Sequence, residues 1–110
     1  MLRVVETFSG IGSQAKALKK ANIQHEILAT IEWDINAILA YDLIHNGPQD
    51  FSNHKELTKK ELIEELSKYA ISNDGKNPIK PRSLSIMSRD SLISILIAIK
   101  RTKNLIRSEE

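Results

Sequence analysis

The 110 residues contain no cysteine, which excludes disulfides, thiolate metal sites and any thiol nucleophile on this chain. Long apolar runs are missing too: none approaches the ~20 residues that cross a bilayer. The opening Met-Leu-Arg leads into a strand-like run and lacks the pattern of a signal peptide. The cytoplasm is therefore the expected location. There is no internal repeat and no low-complexity segment. A strong charge of one sign is also lacking, and a formal net charge of +2 does not by itself argue for nucleic acid. His25, His45 and His54 are spread without ligand spacing, so no metal site is expected. At this length the chain makes one domain at most, with a modest core.

What is present falls into alternating elements. Residues 2–8, LRVVETF, read as a short buried strand with Val4 and Val5 at its centre. Gly10 and Gly12 supply a tight turn. Ser13 to Ala21 is made of good helix formers, with Asn22 as its stop. Residues 27–33, ILATIEW, read as a second buried strand. Asp34 then caps the helix INAILAYDLIHN, which Gly47 and Pro48 end, with Asp42 at the margin of its apolar face. The strand–helix–strand order predicts a βαβ unit and hence a parallel sheet.

The second half is helical in character. Thr58 with Glu61 forms a capping-box pattern before an amphipathic helix carrying Leu62, Ile63 and Leu66. Residues 72–83, with an Asp-Gly turn and two prolines, read as a loop. A further helix is predicted from about residue 88 to 106. Its centre, Leu92 to Ile99, is apolar nearly all round and requires burial on several sides, more than two strands and two helices readily supply. The expected organisation is a βαβα unit over 1–50 and a helical extension over 51–110, together a single incomplete domain.

Gly10-x-Gly12-x-x-Ala15 follows a strand and opens a helix. Glycine permits a sharp turn and close approach of a ligand to the main chain. The helix N-terminus beyond it offers unpaired N–H groups. Twenty residues after Gly12 stands Glu32, where a carboxylate accepts hydrogen bonds from both hydroxyls of a ribose. Trp33 beside it is placed to stack on an adenine. These residues point to a cofactor with an adenosine half, which NAD and S-adenosylmethionine share. Glu6, at the end of the first strand, disfavours a pyrophosphate and suits an ammonium or sulfonium better. The plainer alternative is a tight βα turn with a solvated Glu32.

ETFSGIGSQAKAL and IEWDINAILAYDLIHNG resemble the first two motifs of the DNA (cytosine-5) methyltransferases, over residues 3–47. Phe8, Gly10, Gly12, Glu32, Trp33, Asp34, Ala37 and Tyr41 fall in register with that family's D-x-F-x-G-x-G and E-x-D patterns. Glu6 stands where Asp is usual and keeps the charge. The resemblance implies an α/β, truncated Rossmann-like methyltransferase fold, with two N-terminal parallel strands and a helical C-terminal half. It also implies an S-adenosylmethionine site. There Phe8 meets the adenine edge, the backbone of Ser9, Gly10, Ile11 and Gly12 wraps the methionine part, Glu32 binds the ribose hydroxyls and Trp33 packs on the adenine. The family places an Asp near the adenine amino group; Asp50 lies at a suitable distance, although no third strand is legible after it.

The resemblance further implies methylation of cytosine in DNA, of the restriction-modification type. The family's nucleophilic Cys in a Pro-Cys-Gln motif, and the Glu of its Glu-Asn-Val motif, have no counterpart here. The chain is therefore expected to be inactive alone and to meet DNA only through a complete enzyme. The catalytic part would stand on a second polypeptide, be lost by truncation, or lie outside an excised piece of a longer chain. Lys100, Arg101 and Lys103, in the basic stretch between Lys76 and Arg107, are then candidates for contact with the DNA backbone. A two-stranded parallel sheet stands poorly alone, so self-association or dependence on a partner is expected. Two other readings stay open: an NAD-type nucleotide-binding fragment, and a non-enzymatic interaction protein that keeps the fold but binds no cofactor.

Overall fold

Two parallel strands, β1 (Leu2–Thr7) and β2 (His25–Ile31), pair from Leu2 opposite His25 to Thr7 opposite Ile31. The computed structural model describes residues 1–7, 13–54 and 56–106. A register shift at Val4/Val5 leaves Leu28 as an extra residue on β2, a bulge that bends the strand and increases its twist. β2 starts and ends two residues earlier than the predicted 27–33. Glu32 to Asp34 are needed to turn the chain out of the strand and into the following helix.

That helix, α2 (Ile35–Asn46), matches its prediction residue for residue. The Asp34 carboxylate accepts the N–H groups of Asn36 and Ala37 at 2.9 and 3.3 Å, satisfying two donors that a helix start leaves open. The connection between the strands is α1 (Ser13–Lys20). It ends in a Schellman turn: Asn22 takes φ 59°, the Ile23 N–H reaches Leu18 O at 3.1 Å and the Asn22 N–H reaches Lys19 O at 3.2 Å. Asparagine tolerates this left-handed conformation better than most side chains.

A 3₁₀ turn at Ser52–His54 leads to α3 (Lys59–Leu66), α4 (Pro81–Ser85) and α5 (Arg89–Arg101). The capping box forms as expected, with both reciprocal bonds between Thr58 and Glu61 at 3.1 Å. α4 opens inside the predicted 72–83 loop, because Pro81 at a first helical position has its φ already set for the helix. Among the described residues no helix is long and apolar enough to cross a membrane.

α5 is the centre of the core. Leu92, Ile93 and every residue from Ile95 to Ile99 are buried. They cluster with Ile35 and Ile38 of α2, Leu62 and Leu66 of α3, Ile71 and Leu84. The expectation that so apolar a helix lacks neighbours in this chain is thus corrected. α2 and α3 both pack on α5, and loop residues complete the cover, so a helix apolar all round finds a partner on each side.

The predicted helix to residue 106 stops at Arg101. Lys103 takes φ 55°, the Asn104 N–H bonds Ile99 O at 3.0 Å and the Lys103 N–H bonds Lys100 O at 3.1 Å. This is the same Schellman turn that ends α1, made without glycine. It aims the chain along β2: the Thr30 N–H reaches Lys103 O at 3.2 Å and the Leu105 N–H reaches Thr30 O at 2.9 Å, a parallel bridge between Thr30 and Asn104. Backbone N–H and C=O of one strand residue point to the same side. Segment 103–105 therefore flanks β2 on the edge away from β1. No glycine or proline stands at 100–106 to break the helix, and pairing with β2 accompanies its end.

Asp42, expected at the margin of α2, is 1% exposed. The Arg101 Nε lies 2.9 Å from Asp42 Oδ1, while its two Nη groups donate to Pro48 O and Gly47 O at 3.0 and 2.7 Å. Asn46 and Gln49 also donate to the Asp42 carboxylate, at 3.0 and 2.9 Å.

Two measurements check these features. Lys103→Gly relieves the left-handed strain, and urea unfolding is expected to show a gain of about 0.5–1 kcal/mol. Arg101→Met leaves a buried carboxylate without its cation, and the same assay is expected to show a loss of about 2–3 kcal/mol, discounted from a fully buried pair for the partial exposure of Arg101.

Candidate functional site

The turn Glu32–Ile35 stands where β2 ends and α2 begins, with Glu32 and Ile35 buried and Trp33 and Asp34 half-buried, so its main-chain polar groups need internal partners. Each of the following finds one. The Glu32 N–H donates to Asn104 Oδ1 at 3.3 Å, and the Asn104 Nδ2 donates back to Glu32 O at 2.8 Å. The N–H groups of Trp33 and Asp34 both donate to Glu32 Oε2, at 3.0 and 3.1 Å. The Ser72 N–H donates to Trp33 O at 2.6 Å, and the Ile35 N–H donates to Ser72 O at 2.8 Å. The Asp34 carbonyl accepts the Ile38 N–H at 2.9 Å, the first bond of α2.

Glu32 is 7% exposed. Its carboxylate accepts two amide donors through Oε2, which fix its direction; a carboxylate has about four acceptor positions. Trp33 is half-buried beside it.

The loop that delivers Ser72 is itself built around a carboxylate. Asp74 Oδ1 accepts the N–H groups of Lys76 and Asn77 at 2.8 and 2.9 Å and the Ser72 hydroxyl at 3.0 Å. Gly75 completes the turn at φ 73°, a conformation that favours glycine. The Asn77 N–H foremost, then the Lys76 N–H and the Ser72 hydroxyl, hold the Asp74 carboxyl below the ordinary aspartate range.

Of the predicted site residues, Glu32 and Trp33 stand together in this turn. Phe8, Ser9, Gly10, Ile11 and Gly12 lie outside the described residues. Asp50 is exposed in the loop after α2, where its Oδ1 accepts the Ser52 N–H at 2.9 Å and starts the 3₁₀ turn. The preceding residues of that loop are fixed along α5, Gln49 at Ser94 and Gly47 and Pro48 at Arg101. The residues that sequence reasoning missed are Ser72 and Asn104. Neither belongs to a motif, and each acts on a segment about 40 and 70 positions away.

Of the basic residues of the tail, Lys100 and Lys103 are exposed and Arg101 is half-buried. Arg101 is committed to Asp42 and two carbonyls, so it is a structural cation. With Lys103 it lines a cavity of about 330 Å³ that also includes His25 and Lys19; His25 begins β2, whereas Glu32 follows its far end. Lys100 borders a groove with Glu61, Glu64 and Glu65 of α3.

Residues 2–70 match the family described as C-5 cytosine-specific DNA methylase. The chain belongs to that family. The C-5 methylase match takes in β1, β2, α2 and α3, and so includes the Glu32 turn. Among similar proteins is the orphan methyltransferase M.SssI of Spiroplasma monobiae, 37% identical over 100 residues, which cover 90% of this chain and 26% of the relative. The type II methyltransferase M2.ScrFI of Lactococcus lactis subsp. cremoris is 42% identical over 77 residues, 69% of this chain and 21% of the relative. The orphan methyltransferase M.Rho11sI of Bacillus phage rho11s is 37% identical over 65 residues, 57% of this chain and 13% of the relative. This C-5 methylase chain thus spans about a quarter of the length of its relatives, or less.

A pH test follows from Asp74. Its folded-state value is depressed, so the order it brings is present above the ordinary aspartate range and is lost as pH falls through the lowered value. Trp33 is the sole tryptophan and its carbonyl is tied to Ser72, so an acid titration of its fluorescence is expected to show that step. Asp74→Ala is expected to remove the step and give the acid-form emission at neutral pH.

Proposed function

We propose that this chain is the S-adenosylmethionine-binding portion of a methyltransferase acting on cytosine in DNA. The observation that carries the reading is the fixed Glu32 carboxylate at the end of β2, in a chain of the C-5 methylase family. Parallel α/β sheets bind nucleotide-type ligands at the carboxyl ends of their strands. Glu32 is at that end, and its carboxylate, an acceptor, suits the adjacent hydroxyls of a ribose. Trp33 offers an indole ring next to it for the adenine. Phe8 and the backbone from Ser9 to Gly12 are assigned the methionine end, and Asp50 the adenine amino group, on the family pattern alone.

When bound, S-adenosylmethionine supplies a methyl group on a sulfonium. The residues of this chain hold its nucleoside end. The attack on cytosine requires a thiolate, and the chain has no cysteine. We assign that step to a separate polypeptide stretch, which also meets the DNA, and expect no methyl transfer from this chain by itself.

Calorimetric titration with S-adenosylmethionine, with NAD as the control, tests the reading. Selective binding of S-adenosylmethionine is expected, and Glu32→Ala is expected to weaken it by about 1–3 kcal/mol, the loss of hydrogen bonds to a charged acceptor. Equal affinity in the variant would take Glu32 out of the site, and preference for NAD would replace the cofactor.

A further inference from the structure

The Glu32 turn receives main-chain support from outside β2, and one side chain meets both main-chain groups of Glu32 itself. Asn104 is 7% exposed and uses both ends of its amide. Oδ1 accepts the N–H of Glu32 at 3.3 Å and the N–H of Ile106 at 3.1 Å, while Nδ2 donates to Glu32 O at 2.8 Å. A strand neighbour would ordinarily meet Glu32 through its backbone. Among the described residues the backbone ladder between β2 and segment 103–105 reaches Thr30, and the Asn104 amide meets Glu32 two residues further along.

This matters because the carboxylate of Glu32 is aimed by its own backbone. Oε2 reaches the N–H groups of Trp33 and Asp34 only while the Glu32 main chain holds its position relative to theirs. Ser72 fixes Trp33 and Ile35 from the other flank, but it does not touch Glu32. We propose, resting on the reading of Glu32 given above, that Asn104 is the positioning residue of the cofactor site. It sets the main chain of Glu32 and thereby the direction in which its carboxylate meets the ribose.

A planar amide is suited to this task, since it presents one acceptor and one donor in a fixed plane to the N–H and C=O of a single residue. Aspartate in its place keeps the acceptor but turns a charge toward the Glu32 carbonyl. Alanine removes both of these bonds at the buried Glu32. The Lys103 turn at the end of α5 delivers Asn104 to this position, which explains why the helix stops where it does.

The experiment has two parts, on the full chain. Amide hydrogen exchange is first followed by NMR without ligand. In Asn104→Ala the N–H groups of Trp33 and Asp34 are expected to exchange about tenfold faster, while those of Ile38 in α2 and Leu96 in α5 keep their protection. Asn104→Asp serves as a second variant should the alanine variant not fold, with the same pattern expected. Unchanged exchange at Trp33 and Asp34 in a folded variant overturns the proposal.

S-adenosylmethionine affinity is then measured for Asn104→Ala, Glu32→Gln and the double variant. Asn104→Ala is expected to weaken binding about tenfold in the native background and less than about twofold when Glu32 is already Gln, because the two residues act as one unit. An equal loss in both backgrounds means a general structural role and overturns the assignment. A native chain that binds no S-adenosylmethionine counts against the reading of the site, whereas the exchange comparison still decides whether Asn104 positions Glu32.

Discussion

The organisation around the turn after β2 depends on one requirement: the turn is buried or half-buried throughout, and its main-chain polar groups must be satisfied there. An isolated βα turn cannot meet that requirement with its own atoms. Glu32 does part of it by bending its carboxylate onto the next two amides. The rest comes from two distant segments, Ser72 on one side and Asn104 on the other. An unsatisfied buried amide or carbonyl costs about 1–3 kcal/mol, so the arrangement of the whole second half is tied to this four-residue turn.

α5 is what brings those segments into place. Its apolar surface draws α2 and α3 around it, and the ion pair of the buried Asp42 with the half-buried Arg101 fixes its C-terminal end to the end of α2. The same guanidinium holds the carbonyls of Gly47 and Pro48, so a single cation organises the C-termini of two helices. Helix C-termini carry partial negative charge, and a cation is at home there. A basic stretch in a nucleic-acid-modifying family is readily read as a phosphate contact. In this case one of its members is occupied with the chain's own acceptors.

The sheet gains from the same arrangement. β1 and β2 alone form a two-stranded parallel pair, which is poorly stable without cover on its edges and faces. Segment 103–105 adds a third parallel partner to β2 through two backbone bonds and the Asn104 amide. α1 and α5 both reach their strands through the same left-handed turn, at Asn22 and at Lys103. The helical insertion between α2 and this third partner is thus an elaborated crossover between parallel neighbours.

Much of this was legible residue by residue. The carboxylate of Asp34 three positions before Ala37, the Thr58–Glu61 box and Gly47 after Asn46 are local signals, and the helix boundaries they predict hold, because the bonds involved span only a few residues. The glutamate twenty residues after the second glycine located the candidate site for the same reason, a fixed strand–turn–helix geometry. Composition and periodicity also determined that residues 92–99 would be buried. What covers them, where α5 stops, the inward turn of Arg101 and the recruitment of Ser72 and Asn104 were decided by tertiary structure alone. Those outcomes depend on pairing and ion contacts between residues some 40 to 70 positions apart, for which local propensity carries no signal.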